Sequence, residues 1–391
     1  MLLTCSRNHI PLSLHSNERI IMKILFVVQG EGRGHLTQAI SMERLLMSCG
    51  HEVVEVLVGK REKKRLPGFF SRSMHAPIKH FESPNFLPTQ VNKRANIPRS
   101  VAFNIWKLPR YVESMFYIRR QIIESGAELV INFYELLTGL TYALLAPDVP
   151  YICIGHQYLF LHPDLKLPEE GRASRFFMNM FTRVTSIGAK MRLALSFRRM
   201  EPYGNIKVVP PLLRQAVFTQ EVTAGKYVHG YMVNSGFSES VKQWHKEFPD
   251  IPLRFFWDRW EEEPVKKIDE TLSFYQLDDE EFLRQMAGCK AFASTAGFES
   301  VCEAMYLGKP ILMVPAHIEQ ECNAFDAMQS GAGIADDNFR MDRLLEFAAT
   351  FKPDMRFRYW AESADYVIMD AIENMLPVNY AERMYMVEEY V

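Results

Sequence analysis

A glycine-containing loop between a short strand and a helix carries the clearest chemical signal in this 391-residue sequence. The local pattern predicts a strand at Lys290–Ser294, a tight loop at Thr295–Phe298, a helix at Glu299–Leu307 and a second strand at Ile311–Val314. The first N–H groups of a helix are unpaired and carry the positive end of its dipole, so they favour an anion. The loop therefore predicts a phosphate-binding site.

Polar side chains extend this predicted site. Ser300 adds a hydroxyl to the first helical turn, and Glu303 lies one turn further on. A carboxylate at that position could accept hydrogen bonds from two vicinal hydroxyls, as on a ribose. A polar loop with Glu319 and Gln320 follows the second strand. Each feature alone is common in turns and on solvated helices, but the combination at this spacing is much more specific.

The combination resembles the nucleotide-sugar signature of the GT-B glycosyltransferases, above all the UDP-glycosyltransferases and the lipid II-forming N-acetylglucosaminyltransferases. The matching positions are Gly297, Ser300, Glu303, Ala304, Gly308, Lys309, Pro310, Pro315, Glu319, Gln320, Asn323 and Ala324.

The resemblance implies a role for each part of the signature. The diphosphate would lie against Ser300 and the loop formed by Thr295, Ala296, Gly297 and Phe298. Glu303 would hold the ribose hydroxyls, and Glu319 and Gln320 would face the donor sugar. One departure is Thr295, because many family members have a histidine there, and a hydroxyl replaces its hydrogen bond but not its charge.

The resemblance also implies two further donor contacts in the same half of the chain. Ser235 and Gly236 would lie near the phosphates. Phe274 and Tyr275 would hold the nucleotide base through backbone groups.

A second glycine-rich loop follows the first strong strand, Lys23–Val28. Its glycines, Gly30, Gly32 and Gly34, have the spacing G-x-G-x-G, which is not the dinucleotide fingerprint. Together with the pairs Gly34-His35 and Gly50-His51, the loop resembles the opening of a GT-B acceptor domain. We interpret His51 as structural.

Three side chains are candidates for the general base. His35 would lie at the mouth of an interdomain cleft, as the base or an acceptor contact, although it could also simply help to start the helix. Glu135 and His156 each follow a strand, at the end where open α/β sheets place ligand groups. The alternative for Glu135 is a polar cap of the next helix.

Composition indicates an ordinary globular protein of two domains. Hydrophobic residues make up 48% and charged residues 24% of the sequence, and no apolar run reaches the ~18–20 residues of a membrane span. The six cysteines form no CxxC pair, which favours a reducing compartment and argues against structural zinc. Asp278 and Asp279 are interpreted as a helix start, and no metal site is predicted.

The charge of the chain is unevenly distributed. Residues 22–210 carry 26 Lys/Arg against 15 Asp/Glu, whereas residues 211–391 carry 17 against 31. The excess is concentrated at Lys60–Ser73, with Phe69 and Phe70 at its tip, and at Gly171–Met200. These segments are either solvated faces or a surface that binds an anionic membrane. No nucleic-acid-binding signature is present.

We therefore expect an α/β protein of two Rossmann-like domains facing a cleft, the GT-B fold. The predicted parts are a leader (1–21), an acceptor domain (22–210), a linker (211–226), a nucleotide-sugar domain (227–355) and a helical tail that crosses back (356–391). We expect the leader to be disordered or to precede the physiological start.

The function expected from the resemblance is an inverting, metal-independent glycosyltransferase without a cofactor. A nucleotide diphosphate sugar, UDP-linked, would be the donor, and a lipid, glycan or small molecule the acceptor. The protein would be cytoplasmic, with peripheral binding to the inner face of the membrane through the basic N-domain. The alternatives are a nucleotide-sugar 2-epimerase of the same fold and a catalytically silent sugar-nucleotide-binding protein.

Overall fold

A computed structural model describes residues 21–375 apart from 63, 85–103, 105, 234 and 260. The leader and the end of the tail lie outside these residues. The first half forms a parallel sheet in the order β3-β2-β1-β4-β5-β6-β7. Its strands are β1 (Lys23–Gln29), β2 (Glu52–Lys60), β3 (Ile78–Glu82), β4 (Leu129–Phe133), β5 (Tyr151–Gly155), β6 (Met191–Leu195) and β7 (Ile206–Val209).

Helices cover both faces of this sheet, which is why its central strands are continuous apolar runs such as KILFVV. The helices are α1 (Arg33–Ser48), α2 (Gly68–Ser73), α3 (Leu108–Glu124), α4 (Leu136–Leu145) and α5 (Arg172–Thr185), with a 3₁₀ helix at His156–Leu161.

The second half repeats the architecture, in the order β10-β11-β9-β8-β12-β13-β14. Its strands are β8 (Val228–Tyr231), β9 (Leu253–Trp257), β10 (Val265–Lys267), β11 (Leu272–Gln276), β12 (Ala291–Ser294), β13 (Ile311–Met313) and β14 (Gly333–Ala335). Strand β10 is an antiparallel edge strand, and the other pairs are parallel.

Six helices and one 3₁₀ helix are described around and before the second sheet. They are α6 (Gln215–Phe218), in the segment between the sheets, the 3₁₀ helix Ser235–Phe237, α7 (Ser238–Glu247), α8 (Asp279–Gly288), α9 (Phe298–Tyr306), α10 (Ile318–Gln329) and α11 (Met341–Thr350). The expectation of two Rossmann-like α/β domains is confirmed.

Both sheets reverse their strand order beside the first strand of the domain. In the first sheet the reversal lies between β1 and β4, and in the second between β8 and β12. The carboxyl ends of strands at such a reversal form a crevice, which is the usual ligand site of open α/β sheets. The two glycine loops, His35 and Glu135 follow these strands, and His156 follows the neighbouring strand β5.

The chain ends by returning to the first domain. Helix α12 (Met355–Glu362) packs against α9, and α13 (Ala364–Glu373) packs against β7. The indole N–H of Trp360 donates to the carbonyl of Ser196 over 3.0 Å. No helix in the described ranges is long and apolar enough to cross a bilayer.

Two expectations about basic segments are corrected. Phe70 is fully buried, and Phe69 packs beneath the Arg33 guanidinium at 4.3 Å, so this pair does not project towards a membrane. Residues 171–200 are not one helix, because α5 ends at Thr185 and Met191–Leu195 is the buried strand β6.

Candidate active site

The predicted donor loop lies at the carboxyl end of β12, where it turns into α9. Ala296 has a φ of 60°, in the left-handed region that alanine rarely adopts. Its N–H donates to the Ser294 hydroxyl (3.0 Å), and its carbonyl accepts from the Asn323 amide (3.1 Å). Strained, over-determined backbone of this kind is concentrated at functional sites.

The first turn of α9 begins at Gly297, an N-cap residue without a side chain to pair with the free N–H groups. The Glu299 carboxylate bonds to its own N–H in this turn, so a ligand there would take the place of that contact. The Ser300 hydroxyl donates to the Gly297 carbonyl (3.1 Å) at the edge of the same turn. Thr295 is fully buried, and its hydroxyl accepts from the N–H of Val233 (3.2 Å), which ties the loop after β8 to the loop after β12.

Glu303, the expected ribose contact, is already paired. It is 3% exposed, and both carboxylate oxygens accept from the guanidinium of Arg214, over 2.6 and 2.8 Å. Arg214 also reaches Asp279 (3.2 Å), which pairs with Arg33 of the N-terminal glycine loop (2.7 Å). Sequence reasoning missed both arginines, because one lies in the linker and the other in a loop assigned to the acceptor.

His35 lies between the domains with its ring stacked on Tyr134, at a centroid distance of 5.4 Å. Its Nδ1 is 3.3 Å from Oε1 of Gln38, and its Nε2 is 3.4 Å from Nε2 of Gln157. Burial lowers the pKa of His35 to about 4, so the imidazole is neutral near pH 7. Tyr134 has a φ of 62°, a second strained position at the cleft.

The two amides that contact His35 also form hydrogen bonds to the second domain. Gln38 donates to the Glu299 carboxylate (2.5 Å), and Gln157 donates to the Glu319 carboxylate (3.0 Å). Burial raises the pKa of Glu299 to about 7, and Glu319 and Glu303 nearby act in the same direction. Burial also raises the pKa of Glu319. The sequence singled out Glu319 but not Gln38, Gln157 or Glu299.

The three glycines of the N-terminal loop have different surroundings. A Cβ at Gly30 would lie 2.6 Å from a methyl of Val58, and one at Gly34 would lie 2.5 Å from the Glu299 carboxylate. Gly32 has room for a side chain. Gly34 thus allows the second domain to approach the start of α1.

The other two candidate bases are enclosed. Glu135 is fully buried and caps α4 by accepting from the N–H of Leu137 (3.1 Å), which matches the alternative weighed for it. His156 is 2% exposed, stacks on Phe298 at 4.0 Å and contacts the Leu195 carbonyl through Nδ1 (2.7 Å). Burial lowers the pKa of His156 to about 3. Glu135 is thus used within the first domain, and His156 meets the second domain through its stack on Phe298 with Nδ1 already bonded. The position of His35 between Gln38 and Gln157 favours it over both.

Gln320 and Ser235, two further predicted donor contacts, hydrogen-bond to neighbouring loops of the protein. Gln320 accepts from the N–H of Ala316 (2.9 Å), and the N–H of Ser235 donates to Asp258 at the end of β9 (3.1 Å). These residues, with Gly236, hold loops beside the cleft.

Phe274 and Tyr275, the predicted contacts of the nucleotide base, lie within strand β11. Phe274 is fully buried, and its strand β11 is flanked on one side by β10 and on the other by β9. The backbone groups of β11 are therefore used within the sheet. Among the described residues, no group of three or more His, Cys, Asp or Glu side chains could hold a metal ion.

The two facing sheets and the loops at their reversals define a GT-B glycosyltransferase. The sequence matches glycosyl transferase family 1 over residues 22–351, and the chain belongs to this family. It is 24% identical over 336 residues to an uncharacterized glycosyltransferase of Methanosarcina acetivorans, a match that covers 80% of this chain and 83% of that protein.

Solved structures share the fold at low sequence identity. The glycotransferase of kitacinnamycin aligns with a TM-score of 0.62 at 16% identity and covers 91% of this chain and 99% of its own. UGT2 of Phytolacca americana, complexed with UDP-2fluoro-glucose and pterostilbene, aligns with a TM-score of 0.57 at 12% identity and covers 90% of this chain and 94% of its own.

Proposed function

We propose that this glycosyltransferase is an inverting, metal-independent enzyme that uses a UDP-sugar and takes the acceptor proton with His35. The observation that carries the proposal is the neutral His35 imidazole, held between the glycine loop of the first domain and the helix start of the second. The UDP-sugar in the related plant structure supports this choice of donor.

In the proposed step one proton is transferred, one bond to the anomeric carbon forms and one bond to it breaks. The acceptor hydroxyl takes the place of the Gln157 amide at Nε2 of His35 and gives its proton to that nitrogen while its oxygen bonds to the anomeric carbon. The bond from that carbon to the diphosphate breaks, and its electron pair leaves with the diphosphate. Because attack comes from the face opposite the leaving group, the anomeric configuration inverts.

The leaving diphosphate would be stabilised by fixed groups of the protein. The N–H groups at the start of α9 and the Ser300 hydroxyl would donate to it. Arg33 and Arg214 provide the positive charge that Thr295 lacks, since both lie at the ion-pair network beside α9. Binding the donor would draw them from Asp279 and Glu303 towards the phosphates, which would also free Glu303 for the ribose.

The donor site is tested by thermal stabilisation of the purified protein with UDP, GDP, TDP and CMP. A ligand that binds only the native state must raise the melting temperature. We expect a shift with UDP that is reduced in Ser300→Ala and Glu303→Gln. Absence of a shift with every nucleotide would refute the donor assignment and leave a catalytically silent fold.

The base is tested by turnover with the donor so identified. His35→Gln should keep nucleotide binding and lose at least a hundredfold in kcat, the lower end of what general-base catalysis contributes. The matched control is His80→Gln, because His80 is an exposed histidine of the same domain. Full turnover in His35→Gln would refute the base. Conversion of the donor without any acceptor would indicate the epimerase instead.

The acceptor is proposed to be presented at an anionic membrane surface. Helix α5 exposes Phe176 (62%) and Phe177 (60%) beside the exposed Arg172 and Arg183. Aromatic and basic side chains on one exposed helix suit the interface of an anionic bilayer. These residues make α5 the part of the basic N-domain that would contact lipid.

Co-sedimentation with vesicles tests this surface. Binding to vesicles with about one-third anionic lipid, but not to neutral ones, is expected from the combined apolar and electrostatic attraction. Phe176→Ser/Phe177→Ser should abolish it. Tyr359→Ser, at an aromatic that is 65% exposed on α12, is the control and should not. Equal binding by the double variant would remove the membrane from the proposal.

A further inference from the structure

A continuous chain of side-chain contacts passes from the second domain through His35 and back. It begins at the Glu299 carboxylate, which is 2.5 Å from Nε2 of Gln38, and Oε1 of Gln38 is 3.3 Å from Nδ1 of His35. On the other side of the ring, Nε2 of His35 is 3.4 Å from Nε2 of Gln157, which donates to Glu319 over 3.0 Å. Both ends of this chain are carboxylates of the second domain.

The direction of these hydrogen bonds follows from the groups at the ends. An ionised carboxylate only accepts, so Gln38 must turn its NH₂ group to Glu299 and its carbonyl oxygen to His35. An amide oxygen also only accepts, so Nδ1 of His35 must carry the proton. The Gln157 NH₂ group on the other side of the ring can only donate, which agrees with a free electron pair on Nε2. The opposite orientation of Gln38 would place its carbonyl against the Glu299 carboxylate.

The inner members of this chain have little freedom to rearrange. Gln38 is 2% exposed, Gln157 is 5% exposed and His35 is 9% exposed, so water has little access to the two amides and the ring. The stacking of His35 on Tyr134 fixes the plane of the ring. The orientation of Gln38 is therefore set by its two partners, one of which belongs to the second domain.

We propose that Gln38 is a positioning residue that holds His35 in the tautomer with a free Nε2, and that Glu299 sets the orientation of Gln38. The base is then prepared only while the donor domain is in contact with the start of α1. When the donor domain withdraws, Glu299 and Glu319 leave together, so the amides of Gln38 and Gln157 can both turn. The Gln38 NH₂ group then faces Nδ1 and the Gln157 carbonyl faces Nε2, and the proton moves to Nε2, where it blocks the acceptor hydroxyl. The catalytic part of this inference rests on the proposed role of His35, but the tautomer does not.

The tautomer can be read directly from the ¹⁵N chemical shifts of the two ring nitrogens in the full chain labelled at histidine. The resonances of His35 are assigned by their loss in His35→Gln. We expect a protonated Nδ1 and an unprotonated Nε2 in the native protein at pH 8. In the Gln157→Met background, where no donor is directed at Nε2, we expect Gln38→Met and Glu299→Ala to leave Nε2 protonated in a large fraction of molecules.

A reciprocal exchange of the two partners tests the direction of the contacts. In Gln38→Glu/Glu299→Gln the new carboxylate accepts from Nδ1 and from the new amide, so the native tautomer should be restored and the pKa of His35 raised. Gln243→Met, at an exposed glutamine of α7, should leave the His35 resonances unchanged. A residue that merely supports the fold would not give this pattern of loss and rescue.

Kinetics then separate this inference from the proposed function. In the same Gln157→Met background, Gln38→Met and Glu299→Ala should lower kcat by about a further tenfold, part of the loss expected when a general base is removed, while the KM for the acceptor is unchanged. Protonation of Nε2 in the native protein, or a native tautomer that persists in Gln38→Met/Gln157→Met, would overturn the inference even if His35 proves essential. A shifted tautomer with unchanged kcat would instead overturn the role of His35 as base.

Discussion

Glu135→Gln offers a sharp test of how burial acts on a carboxylate in this fold. Glu135 is fully buried at the end of β4, with one oxygen accepting from the Ser83 hydroxyl and from the Leu137 N–H. Its other oxygen, Oε2, has no hydrogen-bond partner in the described part of the chain. Glutamine keeps the accepting oxygen and the cap but cannot ionise.

The expected gain follows from the pKa. Burial raises the pKa of Glu135 from its ordinary 4.5 to about 7, although the hydrogen bonds from Ser83 and Leu137 oppose the change. At 1.36 kcal/mol per pKa unit, ionisation in the folded protein above pH 7 therefore costs about 3 kcal/mol more than in the unfolded chain. Between pH 4.5 and 7 the folded state holds a proton that the unfolded state has lost, so native stability falls as the pH rises.

Urea unfolding from pH 5 to 8 measures this effect. Glu135→Gln should be more stable than the native protein by about 3 kcal/mol at pH 8, and the difference should shrink to about 1 kcal/mol or less at pH 5. The control is Glu43→Gln, because Glu43 is equally buried but accepts from the N–H groups of His75 and Ala76, so its replacement should destabilise. A Glu135→Gln protein that is less stable at pH 8, or equally changed at every pH, would refute the reasoning.

Other outcomes follow from the same geometry. His229 is fully buried with neither ring nitrogen partnered among the described residues, and its pKa is lowered to about 3. His229→Phe should therefore raise the free energy of unfolding by about 1–3 kcal/mol at pH 7, and by more as the pH falls below 6.5, in urea titrations. Arg214→Met leaves Glu303 buried without its partner and should lower the free energy of unfolding by about 3–5 kcal/mol. The double variant Arg214→Met/Glu303→Met should recover a large part of this loss, and an equal loss in the single and double variants would contradict the reasoning. Gly34→Ala should lower kcat in the native background but have no further effect in Glu299→Ala, because the three atoms nearest to the added methyl all belong to that carboxylate. Turnover should fall as the pH drops through about 7, where Glu299 takes up a proton. This decrease should be absent from the pH–rate profile of Glu299→Gln.

The donor loop could be predicted from the sequence because its determinants are local. Strand, loop and helix signals lie within a few consecutive residues, and the structure places α9 at Phe298–Tyr306, one residue from the predicted start and end. Glu303 was correctly placed on that helix, but its pairing with Arg214 was not foreseen. Arg214 lies 89 residues away in the chain, and nothing in the local pattern around it indicates a contact with Glu303.

Contacts between the domains were beyond sequence reasoning for the same reason. Gln38 and Glu299 are separated by 261 residues, and a buried amide between two helices has no local signature. A usable hint was present, since Gln38 lies three residues after His35 and shares its helix face.

The pairing of β11, which contains Phe274, with an edge strand was not foreseen for another reason. Strand β10 consists of three residues, two of them lysines, and such a short charged segment does not have the composition of a strand. It is nevertheless the edge partner that uses the backbone of β11. An antiparallel edge strand added to a parallel sheet is defined by the sheet it joins rather than by its own sequence.

The returning tail has a mechanical consequence. The chain passes between the domains twice, once between β7 and β8 and again where α12 and α13 follow α11. With a single connection, one domain could rotate about several axes relative to the other. Two separate connections define one axis, and rotation of the domains about it opens and closes the cleft. The indole of Trp360, bound to Ser196, anchors the second connection. The tail thus forms the second connection of a two-point hinge. Each closure would then bring the same residues of the two domains into contact.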